Sequence, residues 1–345
     1  MNAVQSFLHM VDRSQQRWPW LAFPVAVWKK FGDDQAGDLA ALIAYYGFAS
    51  LFPLLLVLVT VLDIVLHSHP ALRDTLVDST FGKFPVVGTQ LQNSTQQHAL
   101  KSTGPALGIG LLLTFLGARG VANAAQNAFN TVWGVPISRR PGFPWNLLRS
   151  IALILGVGTG MLVTTVISGL VGNGTAGFLG GVPGRIGAVV VSLLLNIGLF
   201  WLGFRLATAR EVNTRDLLPG AVLAAIGWQV LQLVGGILVG HTIAHSSSLY
   251  GVFGVVLGLL AWLYLQAQLT LYAMEVSVVW VKRLWPRSIA PPPLTPQDER
   301  AYEMYAQAQQ RHPGQDISVQ VSDTQQSEPD PAKSQDGPRG SASRS

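Results

Sequence analysis

Seven histidines, eighteen acidic residues and no cysteine bound the chemistry open to this 345-residue chain. The histidines are His9, His67, His69, His98, His241, His245 and His312. None lies in an HExxH or HxHxDH pattern, so neither zinc-protease nor two-metal nuclease chemistry has a ligand set. No glycine-rich phosphate loop and no GxSxG elbow occur. The lack of cysteine removes thiol nucleophiles, Fe–S clusters and Cys-ligated zinc. His67 with His69, and His241 with His245, have metal-compatible spacing but close two apolar segments, where they read as interfacial residues. No catalytic residue, metal or other cofactor is expected.

The polar residues that stand out lie inside apolar segments, where they are costly and often functional. Arg119, Asn123, Gln126 and Asn130 are spaced four, three and four apart. At 100° per residue they share one helix face. Tyr264, Gln268, Tyr272 and Glu275, spaced four, four and three, share another. Gln229 and Gln232 add a third polar face, with Gly236 and Gly240 on the same side. These three faces must turn from lipid, either onto one another or onto an aqueous cavity. Arg119, Asn123, Gln126, Asn130, Gln229, Gln232, Gln268, Tyr272 and Glu275 are therefore candidates for a substrate pathway. Arg119 and Glu275 are the only charges well inside their segments. Both are placed in the inner half of the bilayer, where they are expected to pair as a register-fixing ion pair or the base of a cavity, unless each snorkels.

The elements that must position them are helices. The chain is 49% hydrophobic and 12% charged, about half the charge of a soluble domain. Six apolar segments lie near 39–66, 105–132, 147–171, 186–207, 217–240 and 250–281. Each is long enough for the ~20 residues that cross hydrocarbon, and none alternates as a barrel strand would. The fold class is all-α: a polytopic membrane protein, a six-transmembrane-helix bundle. Lysine and arginine cluster at the N-terminal region, the second and fourth connections and the segment after the sixth helix. The positive-inside bias then places both termini in the cytoplasm. Residues 1–38 read as a cytoplasmic or interfacial segment, 39–285 as the transmembrane domain and 286–345 as a mostly disordered cytoplasmic tail with one short helix at 296–311.

Several finer expectations follow. Residues 18–28 (WPWLAFPVAVW) are too short to span, so they lie at the interface or pack on the bundle. The first external loop, 67–104, should hold short amphipathic helices. Pro53 interrupts the first span and is a hinge candidate, with Ser50 placed to satisfy the freed backbone. Gly104/Gly108, Gly156/Gly160, Gly236/Gly240 and Gly254/Gly258 have the spacing of close helix contacts. Residues 298–345 carry a net charge of −3 and the apolar remainder +8. Basic charge on an apolar chain points to anionic lipid rather than nucleic acid as a partner.

AALIAYYGFASLFPLLLVL at 40–58 resembles the first-helix signature of the YihY/virulence factor BrkB family. YGVFGVVLGLLAWLYLQAQLTLYAMEV at 250–276 resembles its last-helix signature, with Ala273-Met274-Glu275 where that signature ends in G-A-E. Arg119-Gly120 and Asn130 match its second helix. The similarity runs from about Trp28 to Trp285, and the loop lengths and basic ends look most like the YhjD-type branch. Met274 departs from the family's small residue and loosens the packing inference there. The resemblance implies a multi-pass bacterial plasma (inner) membrane protein of about six helices, whose relatives are linked to lipid or lipopolysaccharide handling. An older label in this family, ribonuclease BN, finds no metal cluster or basic groove here. The expected function is that of a transporter or lipid translocator of the cell envelope, with membrane lipids, including anionic envelope lipid, as partners. The alternative is a non-transporting scaffold whose polar faces are zipped together.

Overall fold

The computed structural model of the chain describes residues 12, 15–67, 103–172, 182–243, 251–289, 291 and 294–319. Among the described residues there is no strand. A short helix, α1 (Pro19–Asp33), precedes six long ones: α2 (Ala36–His67), α3 (Thr103–Val132), α4 (Trp145–Gly172), α5 (Val182–Ala207), α6 (Leu218–Ile243) and α7 (Gly251–Lys282). A last helix, α8, covers Pro296–Ala308. Long helices are the expected outcome, because hydrocarbon offers no partner to an unpaired N–H or C=O. Five of them are long and apolar enough over described residues to cross a membrane: within α2, α3, α5, α6 and α7. The third apolar segment forms α4, of 28 residues.

The six long helices close into a ring. Each packs on the next in sequence, and α7 returns to α2, with α3 also touching α5 and α7. The continuous core lies at one end, made by the starts of α2, α4 and α6 and the ends of α3, α5 and α7. Alanine dominates it, as at Ala36, Ala40, Ala128, Ala207, Ala221 and Ala224, all within a few per cent of full burial. Small side chains let helix backbones approach closely where burial in lipid gives little hydrophobic gain. Large apolar residues such as Leu54, Leu111, Leu112, Leu194 and Leu233 are instead exposed on the ring's outside.

Helix α1 resolves both readings of residues 18–28. Ala22, Ala26, Val27, Lys30 and Phe31 are buried, on a face that packs against α7. Trp18, Trp20 and Trp28 stay exposed on the other. The region beyond residue 286 is not a free tail from its first residue. Arg287, Ser288, Asp298, Ala301, Met304 and Ala308 are buried. Helix α8 starts in a capping box, with Thr295 and Asp298 bonding each other's backbone N–H. Gly134, at φ +64°, carries the chain past Met304, whose Cγ would lie 2.7 Å from an added Cβ. The loop 67–104 expected to hold amphipathic helices lies almost wholly outside the described residues, as does 320–345.

Close contacts between helices use other glycines than spacing alone suggests. Gly156 and Gly160 do face Leu206 and Leu199 of α5, but Gly108, Gly254 and Gly258 have nothing within 4 Å. A close seam joins α2 and α3. An added Cβ at Gly117 would lie 2.7 Å from Ser50 Cβ and 3.0 Å from its Cα, and one at Gly120 2.5 Å from Tyr46. Ser50 donates to the Gly47 carbonyl at 2.8 Å, two residues before the Ala49 carbonyl that Pro53 would free, and α2 continues through Pro53. Gly117→Val is expected to cost about 1–3 kcal/mol, read as a lowered melting temperature in detergent. Gly108→Ala should leave it unchanged or raise it slightly; equal losses in both would remove the α2–α3 seam as the cause.

Candidate functional site

Two polar constellations occupy the packed end. The first centres on Lys30. Its Nζ lies 2.9 Å from Glu275 Oε2, donates to Asp34 Oδ2 and donates to the Val132 carbonyl at 2.8 Å. The three side chains are 0%, 0% and 3% exposed for Lys30, Glu275 and Asp34. Burial alone would pull the Lys30 ammonium down, but Glu275 and Asp34 outweigh it and hold the pKa above the ordinary lysine value. Around this cluster Phe31 stacks flat on Tyr272 at 3.8 Å between centroids. Trp133 Nε1 donates to Met274 Sδ at 3.0 Å, so the sulfur that departs from the family signature serves as an acceptor. Lys282 donates to the Trp133 carbonyl at 3.1 Å, which sets the ends of α3 and α7 level.

That levelling explains why Arg119 does not pair with Glu275. Glu275 stands seven residues before the end of α7 and Arg119 thirteen before the end of α3. At ~1.5 Å per residue their heights differ by roughly 9 Å. The partner came instead from Lys30, which the sequence presents only as half of a dibasic pair flanking an apolar run. Its fourfold spacing from Ala22 and Ala26, and from Asp34, was the available signal of an inward face.

The remaining candidates are distributed rather than gathered. Gln126 Nε2 donates to Ser150 Oγ at 2.9 Å, and Asn130 Oδ1 accepts the Ala209 N–H at 2.8 Å. Both are buried, and they tie α3 to α4 and to the end of α5. Gln268 donates to Tyr264 OH on its own helix at 2.9 Å. Gln229 is half-buried and Gln232 exposed. The polar face of α3 thus meets α4 and α5, whereas that of α7 meets α1 and α2. Among the described residues the three faces line no common cavity.

Arg119 and Asn123 instead line a groove of ≈ 360 Å³ between α3 and the start of α4, with Leu116, Gly120, Phe143, Asn146 and Leu147. Asn146 Nδ2 donates to Asn123 Oδ1 across it at 3.1 Å. Just beyond, Arg140 donates to Asn127 Oδ1 at 2.8 Å. The Arg119 side chain is exposed, and among the described residues no carboxylate pairs with it.

The second constellation fastens the two ends of the described chain together. Asp298 Oδ1 accepts from Lys29 Nζ at 2.8 Å and Arg287 Nε at 2.9 Å. Its Oδ2 accepts the Ser288 N–H at 2.9 Å and Thr295 Oγ1 at 2.8 Å. The fully buried Arg287 also donates to Asp33 Oδ2 at 2.8 Å. Asp12 accepts from Ser288 Oγ and the Ile289 N–H, both at 2.8 Å. Burial alone would raise the Asp298 carboxyl, but the bonds from Lys29, Ser288 and Thr295 hold it down at about 2. Sequence reasoning missed this clasp because Asp298 sits in a stretch that reads as solvated. The signal was the Thr295-Pro296 start with an acid at the third helical position.

Among the described residues no group of three His, Cys, Asp or Glu could hold a metal ion.

The chain matches the Virulence factor BrkB family model over residues 27–293. It belongs to that family. The match takes in α2 to α7, the Lys30–Asp34–Glu275 cluster and most of the Arg287 clasp, but stops before Asp298. The chain is 26% identical to "Inner membrane protein YhjD" of Escherichia coli (strain K12) over 275 residues, covering 74% of this chain and 80% of that protein. It is 24% identical to a "UPF0761 membrane protein" of Stenotrophomonas maltophilia (strain R551-3) over 260 residues, covering 74% of this chain and 60% of that protein. No solved structure matches.

Proposed function

We propose that this BrkB-family protein crosses the bacterial inner membrane six times, with both termini in the cytoplasm, and binds and moves an anionic envelope lipid. The topology reading rests on five span-length helices and on residues 151–171 of α4, which carry no charge. Lys29, Lys30, Arg139, Arg140, Arg210, Arg215, Lys282 and Arg287 all fall at the packed end, which the positive-inside bias assigns to the cytoplasm.

The observation that carries the lipid reading is Arg119. It lies near the middle of a span-length helix, exposed, beside a lateral groove with two asparagines and no acid. An arginine there is costly in hydrocarbon unless it finds an anion or snorkels. A phosphate headgroup entering sideways between α3 and α4 supplies the anion, and Leu116 and Leu147 leave apolar wall for an acyl chain. No catalytic step and no cofactor belong to this reading. Native mass spectrometry of protein released from phosphatidylglycerol-containing membranes tests it. Arg119→Ala is expected to reduce retained anionic lipid about tenfold, the scale of one charge-assisted contact. Unchanged retention would sink the assignment.

A scaffold reading is favoured by a different observation: Gln126, Asn130 and Glu275 have all found partners inside the bundle. Lipid movement in proteoliposomes separates the two. A scaffold leaves transbilayer lipid exchange at the rate of empty vesicles.

A further inference from the structure

At the packed end of α4, outside the residues that line the groove, Arg149 comes close to two further arginines of the α5 end. Arg149 stands one turn into α4, Arg205 in the last turn of α5 and Arg210 in the connection to α6. Arg149 lies within electrostatic reach of both Arg205 and Arg210. Its Nη1 is cut off from solvent and has no hydrogen-bond partner among the described residues. Thr208, between Arg205 and Arg210 in sequence, is 1% exposed, and its Oγ1 is likewise buried without a partner. Glu211, next to Arg210 in sequence, is exposed and is engaged, at 3.9 Å, by Arg139.

Such an arrangement is unfavourable as it stands. Like charges held together repel, and a buried donor without an acceptor forfeits its bond to water with nothing in return. An oxyanion between the guanidinium groups removes both penalties, because arginine forks match phosphate oxygens in pairs. The surroundings set the depth. Trp145, one turn before Arg149 on the same face, is 64% exposed, and Leu148 is 51% exposed. Exposed tryptophan beside arginine at a helix end is the pattern of the headgroup layer.

We infer that Arg149, Arg205 and Arg210 form a receptor for a phosphate oxyanion at the α4–α5 seam, filled by the phosphodiester of a membrane lipid or by a free phosphate. The site is separate from the Arg119 groove and stands whether or not the protein moves lipid.

The test uses the full-length protein in nanodiscs of phosphatidylglycerol and phosphatidylcholine, read by native mass spectrometry after release. The wild type should retain phosphatidylglycerol over phosphatidylcholine. Arg149→Gln and Arg205→Gln should each lower that retention about tenfold, and Arg149→Lys, which keeps the charge but loses the fork, should fall between. Arg210→Gln, at an exposed position, serves if the α4 variants fail to elute as a single species. Arg300→Gln on α8 removes an exposed charge elsewhere and should change nothing. Millimolar inorganic phosphate that leaves the lipid in place assigns the site to a headgroup. Displacement of the lipid assigns it to free phosphate. Retention that is equal in wild type and all three glutamine variants, or that drops equally in Arg300→Gln, overturns the proposal. Loss in Arg119→Ala alone would support the groove and reject this receptor.

Discussion

Replacing Lys30 with alanine is expected to cost about 3–5 kcal/mol, the loss seen when one partner of a buried ion pair is removed. The substitution leaves Glu275 and Asp34, both buried, with their shared cation gone. It also strips the Val132 carbonyl at the end of α3 of its donor. Three elements lose their common fastening at once: α1, α3 and α7. The measurement is thermal unfolding of detergent-purified protein followed by size-exclusion chromatography. Lys30→Ala and Glu275→Ala should each unfold far below the wild type. The double variant Lys30→Met with Glu275→Leu should lose less than its singles summed, because it leaves no buried Glu275 charge unmatched, though Asp34 still lacks its cation and keeps the recovery partial. A double variant that is as unstable as the sum of its singles would show that the two residues act independently.

The second large effect is expected at Asp298. Asp298→Ala removes the acceptor for Lys29, Arg287, the Ser288 N–H and Thr295. Arg287, itself fully buried, keeps Asp33 as its remaining carboxylate partner. The expected result is release of α8 from the bundle, seen as fast amide exchange over residues 296–308 while α2 to α7 stay protected. The pH dependence has a definite sign. The folded carboxyl titrates at about 2 against an ordinary value of 3.8. It therefore contributes about 2 kcal/mol above pH 4. That contribution disappears as pH falls from 4 through 2. Protection of α8 should be flat from pH 5 to 8 and collapse below 4, and Asp298→Asn should abolish that acid step. An acid step of unchanged size in the asparagine variant would move the titration to another group, with Asp12 the next candidate since its carboxyl is also held low.

Much of the fold was legible because a membrane acts on single segments. Hydrocarbon demands about 20 apolar residues and an internally bonded backbone, and both requirements are local. Hence α2, α3, α5, α6 and α7 could be placed from hydropathy alone, and α4 from its uncharged run. The polar faces were also local facts: Arg119, Asn123, Gln126 and Asn130 do lie along one stripe of α3, and their spacing fixed that. The short helix after residue 295 carried its own start signal in Thr295 and Asp298.

Only the tertiary structure decided which faces meet, since helical periodicity says where a side chain points but not what stands opposite. The ring order turned the α3 stripe toward α4 and α5 and the α7 stripe toward α1 and α2, so among the described residues the polar faces became paired amides, a charge cluster and a lateral groove. Glu275 took Lys30 rather than Arg119 because α3 and α7 end level and the two charges stand at different heights. Arg287 and Asp298 became buried partners of Lys29 and Asp33 although about 260 residues separate the two ends. No window of sequence carries that pairing. It exists because the ends of the described chain emerge on the same face of the bundle, where burial from water makes each lone charge too costly to leave unmatched.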